Sequence, residues 1–132
     1  MFGYRVAEFG DVDVMRWVEL PDPVPGAGEL LVRVHASGIN FAETRMRSGD
    51  YSGQPLPFVA GMEMAGVVDA VGEGVSEYSV GQKVMGRARG AHAQYVCVAT
   101  SHLMALPEGI SFEEGAAIPE IGKHTSELQS QR

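Results

Sequence analysis

The sequence predicts a mainly β fold, on three observations. Short β-branched and apolar runs recur along the 132 residues and are separated by glycine and proline. The chain has 17 glycines and 7 prolines, which favour many turns. Only two short segments carry the start signals of a helix. With 45% hydrophobic residues, this length suits one globular domain.

Six runs of this kind predict the strands, and they cover residues 4–9, 15–20, 29–37, 65–71, 82–88 and 93–99. Three prolines and two glycines fall within residues 21–28. Because proline cannot donate to a sheet ladder, that stretch predicts a surface turn before the long strand near Glu29.

Two short helices are predicted. Asn40 caps the first, Glu43 takes the capping-box position three residues on, and Gly49 ends it. The second begins at Ser111, with a glutamate again three residues later, and Pro119 cuts it short.

The charge pattern excludes several classes of function. The formal net charge is -7, and no cluster of Lys and Arg offsets it locally, so nucleic acid is not expected as a partner. No apolar run approaches the roughly 20 residues that span a bilayer, and the N-terminus lacks the pattern of a signal peptide. A cytoplasmic protein without membrane contact is therefore expected.

The single cysteine, Cys97, lies in a strand pattern and is predicted to be a buried thiol rather than a nucleophile. One cysteine permits neither an intramolecular disulfide nor a cysteine-rich zinc site. The four histidines are widely spaced and are predicted to be structural or surface residues rather than metal ligands: His35, His92, His102 and His124.

The glycine-rich stretch GMEMAGVVDAVGEGV, residues 61–75, raises the question of a phosphate-binding loop. Its Gly72-x-Gly74 has no third glycine and no amphipathic helix after it, whereas phosphate binding needs the free amides of a helix N-terminus. The stretch instead predicts turns around a buried strand.

Three ordered stretches, residues 9–51, 57–86 and 90–120, together resemble the N-terminal part of the medium-chain dehydrogenase/reductase superfamily, and in particular its zinc-independent quinone oxidoreductase branch. The resemblance implies a GroES-like, partly open β-barrel with short helices over residues 1–120, truncated at its end. Such a domain normally precedes and packs against a Rossmann domain. The Rossmann domain is lacking in this sequence, so most of the NADPH site is expected outside it.

The same resemblance implies chemistry without zinc. In the zinc-dependent relatives the stretch reads Gly-His-Glu, and an earlier loop carries a ligand cysteine; here Met62 and Asn40 stand at those positions. A thioether and an amide are poor zinc ligands. Two roles are open for Glu63, either a structural acid bonded to backbone amides or an arginine, or an acid near the substrate cleft.

The resemblance nominates three residues for the cleft between the two domains. Asn40 can orient a substrate or cofactor oxygen, or only cap a helix. Phe41 can wall the pocket against a flat ring, or only fill the core. Tyr51 is the candidate donor to the oxygen that gains negative charge.

The implied reaction is hydride transfer from NADPH to a quinone or an α,β-unsaturated carbonyl, without metal. NADPH and NADH are not distinguished by these residues. One alternative is a zinc-free enoyl or crotonyl-type reductase; another is a stand-alone GroES-like binding module without activity. The chain alone is expected to be inactive, and its intact parent to be a homodimer.

The last residues, 121–132, change abruptly to a polar stretch. Back-translated as ATC GGA AAG CAC ACG TCT GAA CTC CAG TCA, residues 121–130 resemble a sequencing-library adapter with one base missing. A non-native tail is therefore expected, and a native disordered tail is the alternative.

Overall fold

The computed structural model describes residues 1–38, 47 and 55–117. These residues form eight strands in two open sheets, and every pairing is antiparallel. The strands are β1 Phe2–Val6, β2 Met15–Glu19, β3 Glu29–Ser37, β4 Phe58–Val59, β5 Glu63–Val71, β6 Lys83–Arg87, β7 Tyr95–Ala99 and β8 Leu103–Ala105. Short 3-10 helices span Val12–Val14 and Thr100–His102, and residues 112–117 are α-helical.

The smaller sheet has the strand order β2-β1-β4. Its hairpin pairs Phe2 with Glu19 and Val6 with Met15, and the 3-10 helix closes the connection. The larger sheet has the order β7-β3-β5-β6-β8, so β3 and β5 are its central strands.

The larger sheet is apolar on both faces. One face contributes to the main core, whose buried residues are Leu30, Val32, Met64, Val68, Val84, Ala88, Ala91, Val96 and Val98. The other face carries Ala65 and Met85, which pack with Ala116 and the partly buried Phe112. The helical residues 112–117 therefore cover this second face, and adjacent residues of β5 and β6, Met64 and Ala65 or Val84 and Met85, lie in opposite cores.

The predictions of a mainly β fold and of all six strands are confirmed, with shifts of a few residues at the ends of β1 and β5. The short strands β4 and β8 were not predicted, because two or three residues are too few to show an alternating pattern. The sheets stay open among the described residues, in keeping with a partly open barrel.

The second predicted helix start is confirmed in atomic detail. The N–H of Ser111 donates to Glu114 Oε1 at 3.1 Å, and the N–H of Glu114 donates to Ser111 Oγ at 3.1 Å. These are the two reciprocal bonds of a capping box. Backbone and side-chain hydrogen bonds from Ser111 lower the pKa of Glu114. The helix predicted at residues 40–49 and the tail 121–132 lie outside the described residues, except for Arg47, which is helical.

The glycine-rich stretch forms turns around β5, as predicted. Gly74 has a φ of +82°, and residues 75–82 lead without a helix into β6. Gly72 has no positive φ. It is needed for close packing instead, because a Cβ there would lie 2.0 Å from the carbonyl oxygen of Gly26. Within the described ranges, no helix is long and apolar enough to cross a membrane.

Leu30 provides a direct test of this core. Its side chain is fully buried on the central strand β3, so Leu30→Ala leaves a cavity in the main core. We expect the free energy of unfolding to fall by about 2–5 kcal/mol in urea denaturation. Val24→Ala is the control, because Val24 is 83% exposed and its loss should change stability by less than about 0.5 kcal/mol. Equal effects would contradict this packing.

Candidate functional site

Four strand ends meet at one end of the larger sheet. β3 ends at Ser37, β5 begins at Glu63, β6 ends at Arg87 and β8 begins at Leu103. Because neighbouring strands are antiparallel, these four termini lie at the same end of the sheet. The polar and charged residues of these termini are thereby brought together, although they are far apart in sequence.

Glu63 fastens the end of β3 to the start of β5. Its carbonyl oxygen accepts hydrogen bonds from Ser37 Oγ at 3.1 Å and from the N–H of Gly38 at 3.2 Å. Its side chain is only 3% exposed. A Cβ at Gly38 would lie 2.6 Å from Glu63 Oε1, so the carboxylate occupies the space that glycine leaves. These contacts support a structural role for Glu63.

His92 holds the same strand end from the other side. Its Nε2–H donates to the carbonyl oxygen of Gly38 at 3.1 Å, and its backbone N–H donates to that of Ala60 at 2.8 Å. Gly61 has a φ of +105° and packs closely against His92. A Cβ at position 61 would lie 2.4 Å from the backbone nitrogen of His92. The contacts of Glu63 and His92 together fix the position of Gly38, which is the last residue of the described range 1–38.

Met62 lines a cleft of about 300 Å³ at this end of the sheet. The other lining residues are Arg87, Ala88, Arg89 and His102. The N–H of Ala88 donates to the carbonyl oxygen of Met62 at 2.8 Å, which sets the two arginines on either side of this contact. The cleft therefore combines a thioether and a methyl group with two guanidinium groups and an imidazole.

A second cleft, of about 330 Å³, lies between the N-terminal hairpin and the larger sheet. Tyr4 and Trp17 line it, with ring centroids 4.9 Å apart and planes tilted by 58°, and so do His35 and His92. Among the residues that the structure describes, the two clefts have no lining residue in common. Trp17 is the only tryptophan of the chain.

The three nominated residues, Asn40, Phe41 and Tyr51, lie outside the described residues, so their placement stays a prediction. Sequence reasoning missed Arg87, Arg89 and His102. The available signal was the pair of arginines flanking Ala88 at a predicted strand end. The contribution of His102 depends on the pairing of β6 with the unpredicted strand β8.

His35 and Cys97 have structural surroundings. His35 stacks on Phe112 with ring centroids 4.4 Å apart. Cys97 is half-buried on β7. Burial raises the pKa of the Cys97 thiol, and the charge of Glu29 adds to that effect. Among residues 1–38, 47 and 55–117, no group of three or more His, Cys, Asp or Glu side chains is placed to hold a metal ion.

Comparison with known families defines the class. The family described as "Alcohol dehydrogenase GroES-like domain" matches residues 26–108. The chain therefore belongs to this family. Its relatives include the human quinone oxidoreductase, which is 38% identical over 122 residues. The match takes in 89% of the chain and 37% of the human protein, so the chain spans little more than a third of that relative's length.

Solved structures agree with this assignment. A mycobacterial quinone oxidoreductase superposes with a TM-score of 0.83 at 40% identity, over 89% of this chain and 37% of that one. The Escherichia coli quinone oxidoreductase complexed with NADPH gives a TM-score of 0.84 at 34% identity, over 89% of this chain and 36% of its own. The quinone oxidoreductase resemblance is thereby confirmed.

Gly61 provides a test of the packing around His92. Gly61→Ala meets both an unfavourable φ and the backbone of residues 91 and 92. Gly109→Ala is the matched control, because Gly109 has a φ of +84° but nothing within 4 Å of an added Cβ. We expect a loss of about 1–2 kcal/mol for Gly109→Ala and a larger loss for Gly61→Ala in urea denaturation. A smaller loss at position 61 would refute the contact.

Cys97 provides a test of thiol reactivity. Since its pKa is raised in the folded chain, iodoacetamide should alkylate it more slowly at pH 8.5 than it alkylates the urea-unfolded chain. Because the folded chain favours the neutral thiol, this group contributes stability below the pKa that the thiol has in the unfolded chain. This contribution is lost as the pH rises through the folded-state pKa. Mass spectrometry follows the labelling, and faster labelling of the folded chain would identify an activated nucleophile instead.

Proposed function

We propose that this chain supplies the GroES-like wall of the substrate cleft in an NADPH-dependent quinone oxidoreductase that works without a metal ion. The observation that carries the proposal is the sheet end at which Met62 faces a cleft and Gly38 is fixed two residues before Asn40. Support comes from the relatives, which are quinone oxidoreductases, one of them complexed with NADPH.

The proposed reaction adds a hydride and a proton to a quinone or enone. NADPH, when bound, supplies the hydride. On this proposal Phe41 walls the ring, Asn40 orients a carbonyl oxygen, and the Tyr51 hydroxyl donates to the oxygen that gains negative charge. Hydrogen-bond donors, rather than a zinc ion, stabilise this negative charge, because the Met62 thioether is a poor zinc ligand.

The cofactor's pyrophosphate needs a glycine turn that leads from a strand into a helix. The described residues contain no such turn, since Gly72 and Gly74 lead into β6. The chain's own part is therefore limited to the nicotinamide and substrate side of the cleft. The pyrophosphate site belongs, on this proposal, to a Rossmann domain in the intact enzyme.

A chimera tests the proposal. Residues 1–120 replace the matched part of the Escherichia coli quinone oxidoreductase, and NADPH oxidation is followed at 340 nm with 1,4-benzoquinone. We expect quinone-dependent turnover that EDTA does not abolish, and no turnover by the 132-residue chain alone. Turnover by the chain alone, loss of activity with EDTA, or a preference for enoyl thioesters would each contradict a part of the proposal.

Tyr51→Phe in the chimera tests the oxyanion donor. Removing one donor to a developing oxyanion should lower kcat by about 10²-fold. Tyr4→Phe is the matched control, because Tyr4 lines the other cleft and should leave kcat unchanged. If both variants retain full kcat, Tyr51 is not the donor.

A further inference from the structure

The cleft beside Met62 is built from three strand ends. Glu63 pairs with Arg87 in the β5–β6 register, which sets Met62 opposite Ala88. Gly86 pairs with Leu103 in the β6–β8 register, so His102 comes opposite Arg87 one step further along. Arg87 is thus held by the β5–β6 ladder, His102 lies in the 3-10 helix just before β8, and Arg89 lies in the turn after β6. Arg89 is exposed, and its position follows from the bond between Ala88 and Met62.

The charge of this cleft differs from that of the chain. The whole sequence has 17 acidic and 10 basic residues, yet the lining residues that the structure describes include two arginines, a histidine and no acid. The nearest carboxylate in the register is Glu63, which is buried and packs on Gly38. Arg89, which is exposed, contributes a positive charge to the lining of the cleft.

The chemistry of these groups indicates what binds. A guanidinium group forms paired, charge-assisted hydrogen bonds with carboxylate, sulfonate or phosphate oxygens. The Met62 thioether is a soft, polarizable surface that suits the edge of an aromatic ring. About 300 Å³ is at the lower end of the range for small-molecule sites. The cleft therefore suits a flat ring that carries one anionic substituent.

We infer that Arg87 and Arg89 are specificity residues that select quinone or enone substrates bearing an anionic group. The inference rests on the proposed function for the identity of the ring, and on the described residues for the anion. The anionic group is assigned to the substrate rather than to the phosphates of the cofactor, because the proposed function gives the pyrophosphate to a Rossmann domain outside the described residues.

Binding to the full 132-residue chain tests this inference without any turnover. The probe is 9,10-anthraquinone-2-sulfonate, which has no free ring carbon beside its carbonyls and so does not alkylate Cys97. The neutral 2-hydroxymethyl analogue is the matched ligand. Amide and arginine side-chain signals in ¹⁵N NMR spectra report the site. We expect the sulfonate to bind about tenfold more tightly and to shift the signals of Met62, Ala88 and both arginines.

Variants distinguish binding in the cleft from a general effect of the net charge of the chain. Arg89→Gln should raise the Kd of the sulfonate about tenfold and leave that of the neutral ligand unchanged, whereas Arg89→Lys should restore part of the affinity. Arg16→Gln is the control, because Arg16 is an exposed arginine of β2 that does not line the cleft and its loss changes the net charge equally. Equal weakening by Arg16→Gln would overturn the inference.

Three further outcomes would overturn it. They are equal affinity for the two anthraquinones, a shift of Trp17 emission that places the ligand in the other cleft, and tighter binding of 2′,5′-ADP than of the sulfonate at the same signals. The last outcome would assign the cleft to cofactor phosphates. Because no cofactor or hydride transfer enters this assay, its failure is distinguishable from failure of the chimera to reduce quinones.

Discussion

The pairing of β3 with β5 is the constraint on which the rest of this structure depends. Seven residue pairs join the two strands, from Leu30 with Val71 to Ser37 with Met64. β7 pairs with the outer edge of β3, and β6 pairs with the outer edge of β5. If this central ladder slipped by one residue, side chains of both faces would exchange, and both cores would lose their apolar partners.

The same ladder also determines the site. It brings Gly38 next to Glu63, and the β6 and β8 registers then place the arginines and His102 around Met62. Packing residues and cleft residues adjoin at this sheet end, since the buried Glu63 follows Met62, and Ala88 both belongs to the main core and lines the cleft. A change in register would therefore disturb the site together with the core.

Much of the fold could be predicted from local sequence. The long strands have enough β-branched residues to show their pattern, and the Ser111–Glu114 box shows the helix start within four residues. β4 and β8 could not be predicted, because they form only through pairing with β1 and β6. The superfamily resemblance identified Met62 as the position at which the zinc-dependent relatives have a histidine. The arginine pair needed the registers, because sequence spacing alone does not show which strand ends meet.

Buried and exposed positions of this structure also differ in how well they tolerate substitution. Gly38 and Gly61 have no room for even a methyl group, so these positions are closed to variation. Arg89, by contrast, is exposed and packs no core residue. Arg89 can therefore be replaced at little cost to folding. A position that excludes any side chain and a position that tolerates replacement thus lie side by side in space, since the N–H of Gly90 donates to the carbonyl oxygen of Gly61.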